Sequence, residues 1–373
     1  MIRLLLTALL VLAAPTPALA QGPSTPEGAW SRAGDRITLT QARISLPERA
    51  GVTALRQSLE LSRQGEGLDN ALQYVSPDER VFATVYIYYP GLPHAGVTAF
   101  VTDRTIAMQG APDFRRLGRR IVGAGGREGV AIRGDYSGFR EGMASSAAFI
   151  KADRWIVKLR VSGPQNRQRD VQQAMTELLA GLRFEGQAQP REAAPLAVGE
   201  CAPGADPADA RQRPELGQAE LAAHAFIATL DGGGLSAREA NGPVRNLPSR
   251  LPAEFCVSGQ VDTGGGPVPI LRAADGEPLS IDGRTVLLVP ISDNGTLLEV
   301  VHAQNLGGYI LLYHQIGSTS LLGEYEGVPS DRQIRQLMTT PDHSAGRARA
   351  VVENLPNGDS RINLIQPSPT PTT

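Results

Sequence analysis

The sequence predicts an α+β protein. An antiparallel sheet packed by helices forms a first domain, followed by a second, mostly antiparallel β domain with flanking helices. Three observations lead to this prediction. Many short segments alternate apolar and polar residues, a few longer ones repeat apolar residues at helical spacing, and turn residues separate them. The 41 glycines and 28 prolines among 373 residues fit a chain with many turns.

A predicted hairpin and helix form the centre of the first domain. Residues 145–150 and 155–162 alternate as strands on either side of the turn 151–154. In the second strand the apolar residues face one way and Lys158 and Arg160 the other, which is typical of a sheet buried on one side. Asn166 or Asp170 is expected to cap the following helix. That helix carries an apolar stripe made of Val171, Met175, Leu178, Leu179 and Leu182.

The rest of the first domain, residues 36–186, is predicted around this centre. Residues 81–89 are apolar on both faces, so we expect a central strand covered on both sides. Val97–Met108 has helical spacing. Residues 115–129 contain a basic cluster and then a glycine-rich stretch, Gly123, Gly125, Gly126 and Gly129, which we interpret as a hairpin loop. A phosphate-binding loop is disfavoured because such loops precede a helix.

The second domain, residues 214–340, follows a linker at 187–213 that is rich in Ala, Pro, Gly and charged residues. Helical spacing predicts helices at 216–230 and 330–338. Turn residues separate the predicted strands, which are 254–261, 268–272, 285–291, 297–303, 309–315 and 320–326. Residues 341–373 form a Pro/Thr-rich tail that we expect to be mostly disordered.

The N-terminus has the features of a secretory signal peptide over residues 1–20. Arg3 precedes an apolar run, Leu4–Ala14, and Ala18-Leu19-Ala20 is a small-residue cleavage site. The run is shorter than the roughly 20 residues needed to span a bilayer. We therefore expect a periplasmic or secreted protein, with a flexible leader at 21–35 and no transmembrane segment in the mature chain.

The two cysteines agree with export. Cys201 and Cys256 are expected to form a disulfide, because an oxidising compartment favours pairing. A redox pair is the alternative, and no C-x-x-C spacing supports it. The formal net charge of −2 makes nucleic acid an unexpected partner.

Two stretches of the first domain carry a resemblance to a known family. The strand Ala83-Thr84-Val85-Tyr86-Ile87-Tyr88 is followed by a helix and further strands. The domain then closes with Arg154-Trp155-Ile156-Val157-Lys158 leading into the last helix. This order resembles the PsbP-like α+β domains over residues 36–186. The resemblance implies a small, mostly non-enzymatic accessory protein that binds larger partners, and it covers no part of the second domain.

No catalytic constellation or cofactor motif is evident. No G-x-S-x-G or H-E-x-x-H sequence occurs. The best pair for a metal is His302 and His314 on one hairpin, but the predicted register places His302 opposite Leu311 and His314 opposite Glu299. The two imidazoles would then point to opposite faces. We expect no metal site, no cofactor and no assigned catalytic residue.

Two groups of residues are candidate binding features. Arg115, Arg116, Arg119 and Arg120 form the densest positive patch, which would suit anionic lipid headgroups, a cell-wall polymer or an acidic partner. Tyr86 and Tyr88 would line a groove, or else lie in the core with their hydroxyls at its rim.

The function predicted from these features is a non-catalytic binding or accessory module of the cell envelope, with another envelope protein as partner. The alternatives are an envelope hydrolase and a carrier of a small ligand or lipid. The sequence leaves the oligomeric state open.

Overall fold

The structure is a computed structural model, and it shows a protein built mainly of strands. It describes residues 28–62, 67–140, 142–186, 188–213, 217, 221–225, 251–252, 254–274, 284–303, 307–339, 348–355 and 359–365. Strands account for 54% of the described residues and helices for 16%, and the strands form three sheets. The α+β prediction is therefore wrong. The helices are few and short, and strands supply most of the buried apolar residues.

The first half of the chain forms a four-stranded and an eight-stranded sheet. Its strands and helices, in chain order, are β1 Trp30–Ala33, β2 Arg36–Leu39, β3 Ile44–Pro47, β4 Arg49–Ala50, β5 Thr53–Glu60, β6 Asp69–Val75, β7 Phe82–Tyr88, α1 Ala95–Met108, β8 Gly110–Ala124, β9 Arg127–Phe139, β10 Met143–Ala152, β11 Trp155–Pro164, α2 Gln168–Gly181 and β12 Arg183–Phe184. The small sheet has the order β1-β2-β3-β12. The large one has the order β4-β5-β6-β7-β11-β10-β9-β8 and is curled into a half-barrel.

The second half forms one nine-stranded sheet. Its elements are β13 Ala197–Glu200, β14 Glu254–Asp262, β15 Pro267–Ala273, β16 Arg284–Pro290, β17 Leu297–Ala303, β18 Gly308–Gln315, β19 Ser318–Tyr325, α3 Asp331–Thr339, β20 Ala350–Asn354 and β21 Ser360–Leu364. Neighbouring strands follow chain order, and only the β13–β14 pair is parallel. All six strands predicted between 254 and 326 are confirmed, as is the closing helix.

The hairpin β10–β11 and helix α2 form the core of the first half. The prediction of a sheet buried on one side is wrong, because β11 is covered on both faces and Lys158 is only 6% exposed. Trp155, Val157, Leu159 and Val161 pack with the apolar stripe of α2 in one buried cluster. On the opposite face of the sheet, Ile132, Phe149 and Ile156 pack against α1. The predicted cap of α2 is wrong. No side chain caps it, because a 3₁₀ turn at Gln165–Arg167 precedes it and Asp170 lies in its first turn.

Several segments lie where the sequence predicted irregular chain. Strand β1 lies within the predicted leader, and β13 lies within the predicted linker. Strands β20 and β21 lie within the predicted tail. Of the helix predicted at 216–230, the described residues 221–225 are helical, and most of the remainder lies outside the described residues.

The two halves contact each other through backbone hydrogen bonds and side chains. Gly91 N–H donates to the Gln315 carbonyl, and Gly317 N–H donates to the Tyr89 carbonyl, both at 2.8 Å. Arg154 donates to Asn354 Oδ1 at 2.7 Å. Among the described residues, no helix is long and apolar enough to cross a membrane.

Candidate functional site

Strand β8 is the outer strand of the eight-stranded sheet and presents the candidate site. It pairs with β9 on one side, and no other strand of the described chain pairs with its opposite side. Residues 115–121 are all exposed. An exposed edge strand offers backbone N–H and C=O groups to a further strand. We call residues 115–121 the arginine edge.

The glycine-rich stretch forms the turn that joins β8 to β9. Gly125 and Gly126 have φ of +60° and +77°, which is the backbone of a tight hairpin turn. The chain then returns as β9, so the hairpin-loop interpretation is confirmed. No helix follows the glycines, and the stretch therefore lacks the geometry of a phosphate-binding loop.

The register with β9 divides the four arginines between the two faces of the sheet. Arg116 lies opposite Tyr136 and Arg119 opposite Gly134, so both lie on the face that carries α1. Both contact the Asp103 carboxylate of α1, with nitrogen–Oδ2 distances of 3.0 and 3.5 Å. Two arginines therefore share one carboxylate on this face.

The other two arginines lie on the face that carries α2. Arg115 is opposite Ser137 and Arg120 is opposite Arg133. Arg120 Nη1 lies 2.9 Å from Asp135 Oδ2, and Arg133 Nε lies 3.1 Å from Asp135 Oδ1. Arg115 forms no ion pair with any residue in the described part of the chain. On this face, Asp135 thus pairs with two arginines, while Arg115 stays without an ion pair in the described chain.

The arginine edge combines exposed positive charge with exposed apolar side chains. The side chains of Arg116, Arg119 and Arg120 are 53%, 40% and 51% exposed. Leu117 lies at a bulge in the register and is 46% exposed, and Ile121 is 50% exposed. A surface of this kind can form backbone hydrogen bonds, ion pairs and apolar contacts with one extended segment.

The sequence analysis did not identify the carboxylates that form ion pairs with these arginines. Asp103 comes from α1, and Asp135 also accepts a hydrogen bond from Ser146 Oγ at 2.6 Å. One of these carboxylates could have been found from the sequence. If the basic strand is paired with the following strand across the glycine turn, Asp135 lies near Arg120. Asp103 reaches the arginines only through the packing of α1 on the sheet.

The two tyrosines lie at the contact between the halves of the molecule. The Tyr88 hydroxyl donates to the Asp293 carbonyl at 3.0 Å, and the Tyr86 ring centroid lies 5.2 Å from Lys158 Nζ. Lys158 Nζ in turn lies 2.5 Å from Asp293 Oδ2. Burial raises the pKa of Tyr88, and burial also lowers the pKa of Lys158 while Asp293 opposes that shift. A ligand at Tyr88 would have to displace the turn that holds Asp293.

A cleft of about 380 Å³ lies between the β8–β9 turn and α2. The turn backbone forms one wall, and Thr176, Leu179 and Ala180 form the other. Arg127 and Glu128 add charged groups to its lining. The cleft is therefore mixed in character, with backbone, apolar and charged surface.

The predicted disulfide is present. Cys201 follows β13 and bonds to Cys256 in β14, with a Cα–Cα distance of 4.7 Å. The bond joins two segments that already pair as parallel strands, Gly199 lying opposite Cys256. It therefore fixes the outermost strand of the nine-stranded sheet.

The histidines are distributed over separate environments. The register places His302 opposite Tyr309 and His314 opposite Leu297, so the predicted register is wrong by two residues. The two imidazoles still lie on opposite faces, and His314 Nε2 contacts Glu299 Oε2 at 2.8 Å. Within the described ranges, no group of three or more His, Cys, Asp or Glu residues is arranged to hold a metal ion.

Comparison with known proteins assigns no family. No protein-family model matches the chain, and no curated protein is significantly similar to it. The resemblance to PsbP-like domains therefore stays a prediction.

Proposed function

We propose that the protein is an exported, non-catalytic binding module of the cell envelope, located in the periplasm or secreted. Its partner is another envelope protein, from which it captures an extended acidic segment along the arginine edge. The observation that carries this proposal is the long outer strand β8, whose arginines outnumber the carboxylates that contact them in the described part of the chain.

Export is supported by the N-terminal sequence and by the Cys201–Cys256 bond. Disulfides persist in oxidising compartments. Mass spectrometry of the mature protein tests this part. A periplasmic or secreted species that starts near Gln21 is expected, and a species found only with Met1 in the cell-associated fraction would contradict it.

Capture of an extended segment follows from the edge geometry. A strand added to β8 would form backbone hydrogen bonds along the free edge, while its side chains contact the arginines on each face. A second copy of β8 is a poor occupant because its arginines would repel these. Charge complementarity thus favours an acidic segment.

The test uses a photo-crosslinking amino acid at Leu117 of the full-length protein in cells, with Ile362 on β21 as the control position. Both side chains are exposed, at 46% and 39%. We expect position 117 to crosslink to an acidic segment of one envelope protein, identified by mass spectrometry. Position 362 should not capture it.

Two charge reversals make the test specific. Arg115→Glu should lower the crosslinking yield about tenfold, because it places like charges together. Arg169→Glu makes the same change at an exposed position of α2 and should leave the yield unchanged. Equal yields in both variants would contradict the proposal. So would binding to anionic phosphatidylglycerol vesicles in place of an acidic segment.

The cleft beside α2 favours a second candidate, a small-ligand carrier. Native mass spectrometry of the purified protein should then show a bound small molecule, and Ala180→Trp should remove it by filling the cleft. A protein that carries nothing in the native spectrum would reject this candidate.

A further inference from the structure

The arginines of β8 lie on both faces of the sheet, and this restricts the sequence of a segment that binds there. In ladder order along β9, Arg115 lies opposite Ser137, Arg116 opposite Tyr136, Arg119 opposite Gly134 and Arg120 opposite Arg133. The four arginines therefore span five successive ladder positions. The position opposite Asp135 is occupied by Gly118, which has no side chain.

On each face the arginines outnumber the carboxylates that contact them within the described residues. On the α1 face, Arg116 and Arg119 share Asp103. On the α2 face, Arg120 and Arg133 share Asp135, and Arg115 has no ion pair in the described part of the chain. The acidic residues of the β8–β9 hairpin nearest in sequence, Asp113 and Glu128, lie outside residues 115–121.

A segment added to β8 continues the sheet, so its successive side chains alternate between the same two faces. Acidic residues at even spacing would all lie on one face. One acidic residue for each face requires odd spacing. Arg119 and Arg120 are adjacent on the ladder, as are Arg115 and Arg116, while Arg116 and Arg120 are three positions apart.

We infer that the partner segment carries two acidic residues at odd spacing, adjacent or three apart, within a stretch that forms an extended strand. This inference rests on the proposed function, because it describes the partner of the same edge. It identifies the partner by a sequence pattern that can be searched for in envelope proteins and in the peptide recovered by crosslinking.

The test compares peptides of identical composition. A ten-residue host of threonine, valine and serine carries two glutamates that are either adjacent, three apart, two apart or four apart. Their affinities for the full-length mature protein are measured by fluorescence anisotropy, and protection of the β8 amides is followed by hydrogen exchange. All four peptides have the same net charge, so attraction by charge alone does not distinguish them.

We expect the peptides with odd spacing to bind about three- to fivefold more tightly than those with even spacing, since one more ion pair across the strands is formed. Arg115→Glu should reduce the advantage of the peptide with adjacent glutamates, and Arg169→Glu should leave it unchanged. Protection of β8 amides should accompany binding of the tighter peptides.

The outcomes distinguish the spacing of the acidic residues from the capture of a strand by β8. Equal affinities for odd and even spacing, with β8 amides protected, would overturn the inference and keep the proposed function. No binding by any of the four peptides would overturn both, as would binding without protection of β8, because the segment would then not be an added strand.

Discussion

In the first half of the molecule, Arg115 to Arg120 lie exposed on the rim of a sheet, whereas two ion pairs of the second half lie inside the packing. Arg272 contacts Asp331 at 2.6 Å, with side chains 8% and 1% exposed. His314 and Glu299 contact each other at 2.8 Å with both side chains fully buried. We therefore expect these two buried pairs to contribute to the stability of the fold, and the exposed arginines of β8 to contribute little to it.

Removal of the disulfide should have the largest effect on stability. The Cys201→Ser, Cys256→Ser double variant frees a loop with a sequence separation of 55. It should lower the free energy of unfolding by about 4 kcal/mol in the chain-entropy treatment. Chemical denaturation measures this. The folded variant should still bind the acidic peptide at denaturant concentrations below the unfolding transition. Loss of binding there would show that β8 depends on the disulfide of the second half.

Breaking a buried ion pair in the second half should have the next largest effect. Asp331→Ala leaves Arg272 buried with one carboxylate partner in the described chain, Asp206, which contacts it at 3.0 Å. We expect a loss of about 3 kcal/mol, at the low end for a buried pair because this second carboxylate remains. Thermal unfolding and denaturation check it. A loss below 1 kcal/mol would show that this charge does not support the fold.

A smaller, pH-dependent effect on stability is expected at His94. This residue caps α1, the helix that contains Asp103. Its Nδ1 accepts a hydrogen bond from Val97 N–H at 3.2 Å. Burial lowers the pKa of His94 to about 4, and Lys151 adds to the shift. The unfolded chain takes up this proton near pH 6.5. The contribution of His94 to the free energy of unfolding is therefore fully present above pH 6.5 and is lost as the pH falls toward 4.

The variant His94→Asn keeps a capping side chain and removes the titration. The stability of the natural protein relative to this variant should fall by about 1–2 kcal/mol between pH 7.5 and pH 4, with screening at the partly exposed ring taken into account. Denaturation at both pH values measures the difference. A difference that does not change with pH would contradict the assignment.

The smallest effect on stability is expected at the arginine edge itself. Arg115→Glu breaks no ion pair within the described chain and should change the free energy of unfolding by less than about 0.5 kcal/mol. Its melting temperature should match that of Arg169→Glu. A loss of stability comparable to that of Asp331→Ala would show that the edge, like the second half, uses its charge for folding.

Local patterns in the sequence predicted much of the interior. The alternation from Trp155 to Val161, the stripe of α2 and the strands between 254 and 326 depend on residues close together in the chain. The disulfide followed from there being two cysteines in an exported chain. These features could be predicted because each is determined by spacing within one segment or by composition.

The edge and the overall class were harder to predict because they depend on distant contacts. Residues 115–120 show neither strand alternation nor many β-branched side chains, and they become a strand because β9 pairs with them across the glycine turn. Strand β20 likewise pairs with β19, and β21 pairs with β20. The contact of Asp103 with Arg116 requires α1 to pack on the sheet. The sequence analysis therefore underestimated the share of strands in the fold.

Hydrogen exchange of the full-length protein, with and without the acidic segment recovered by crosslinking at position 117, tests whether β8 is the binding strand. We expect amides of β8 to become protected when the segment is present, while amides of β21, another exposed edge strand, do not change. Unchanged exchange in β8 at a saturating concentration of the segment would contradict the claim that this edge is the binding site.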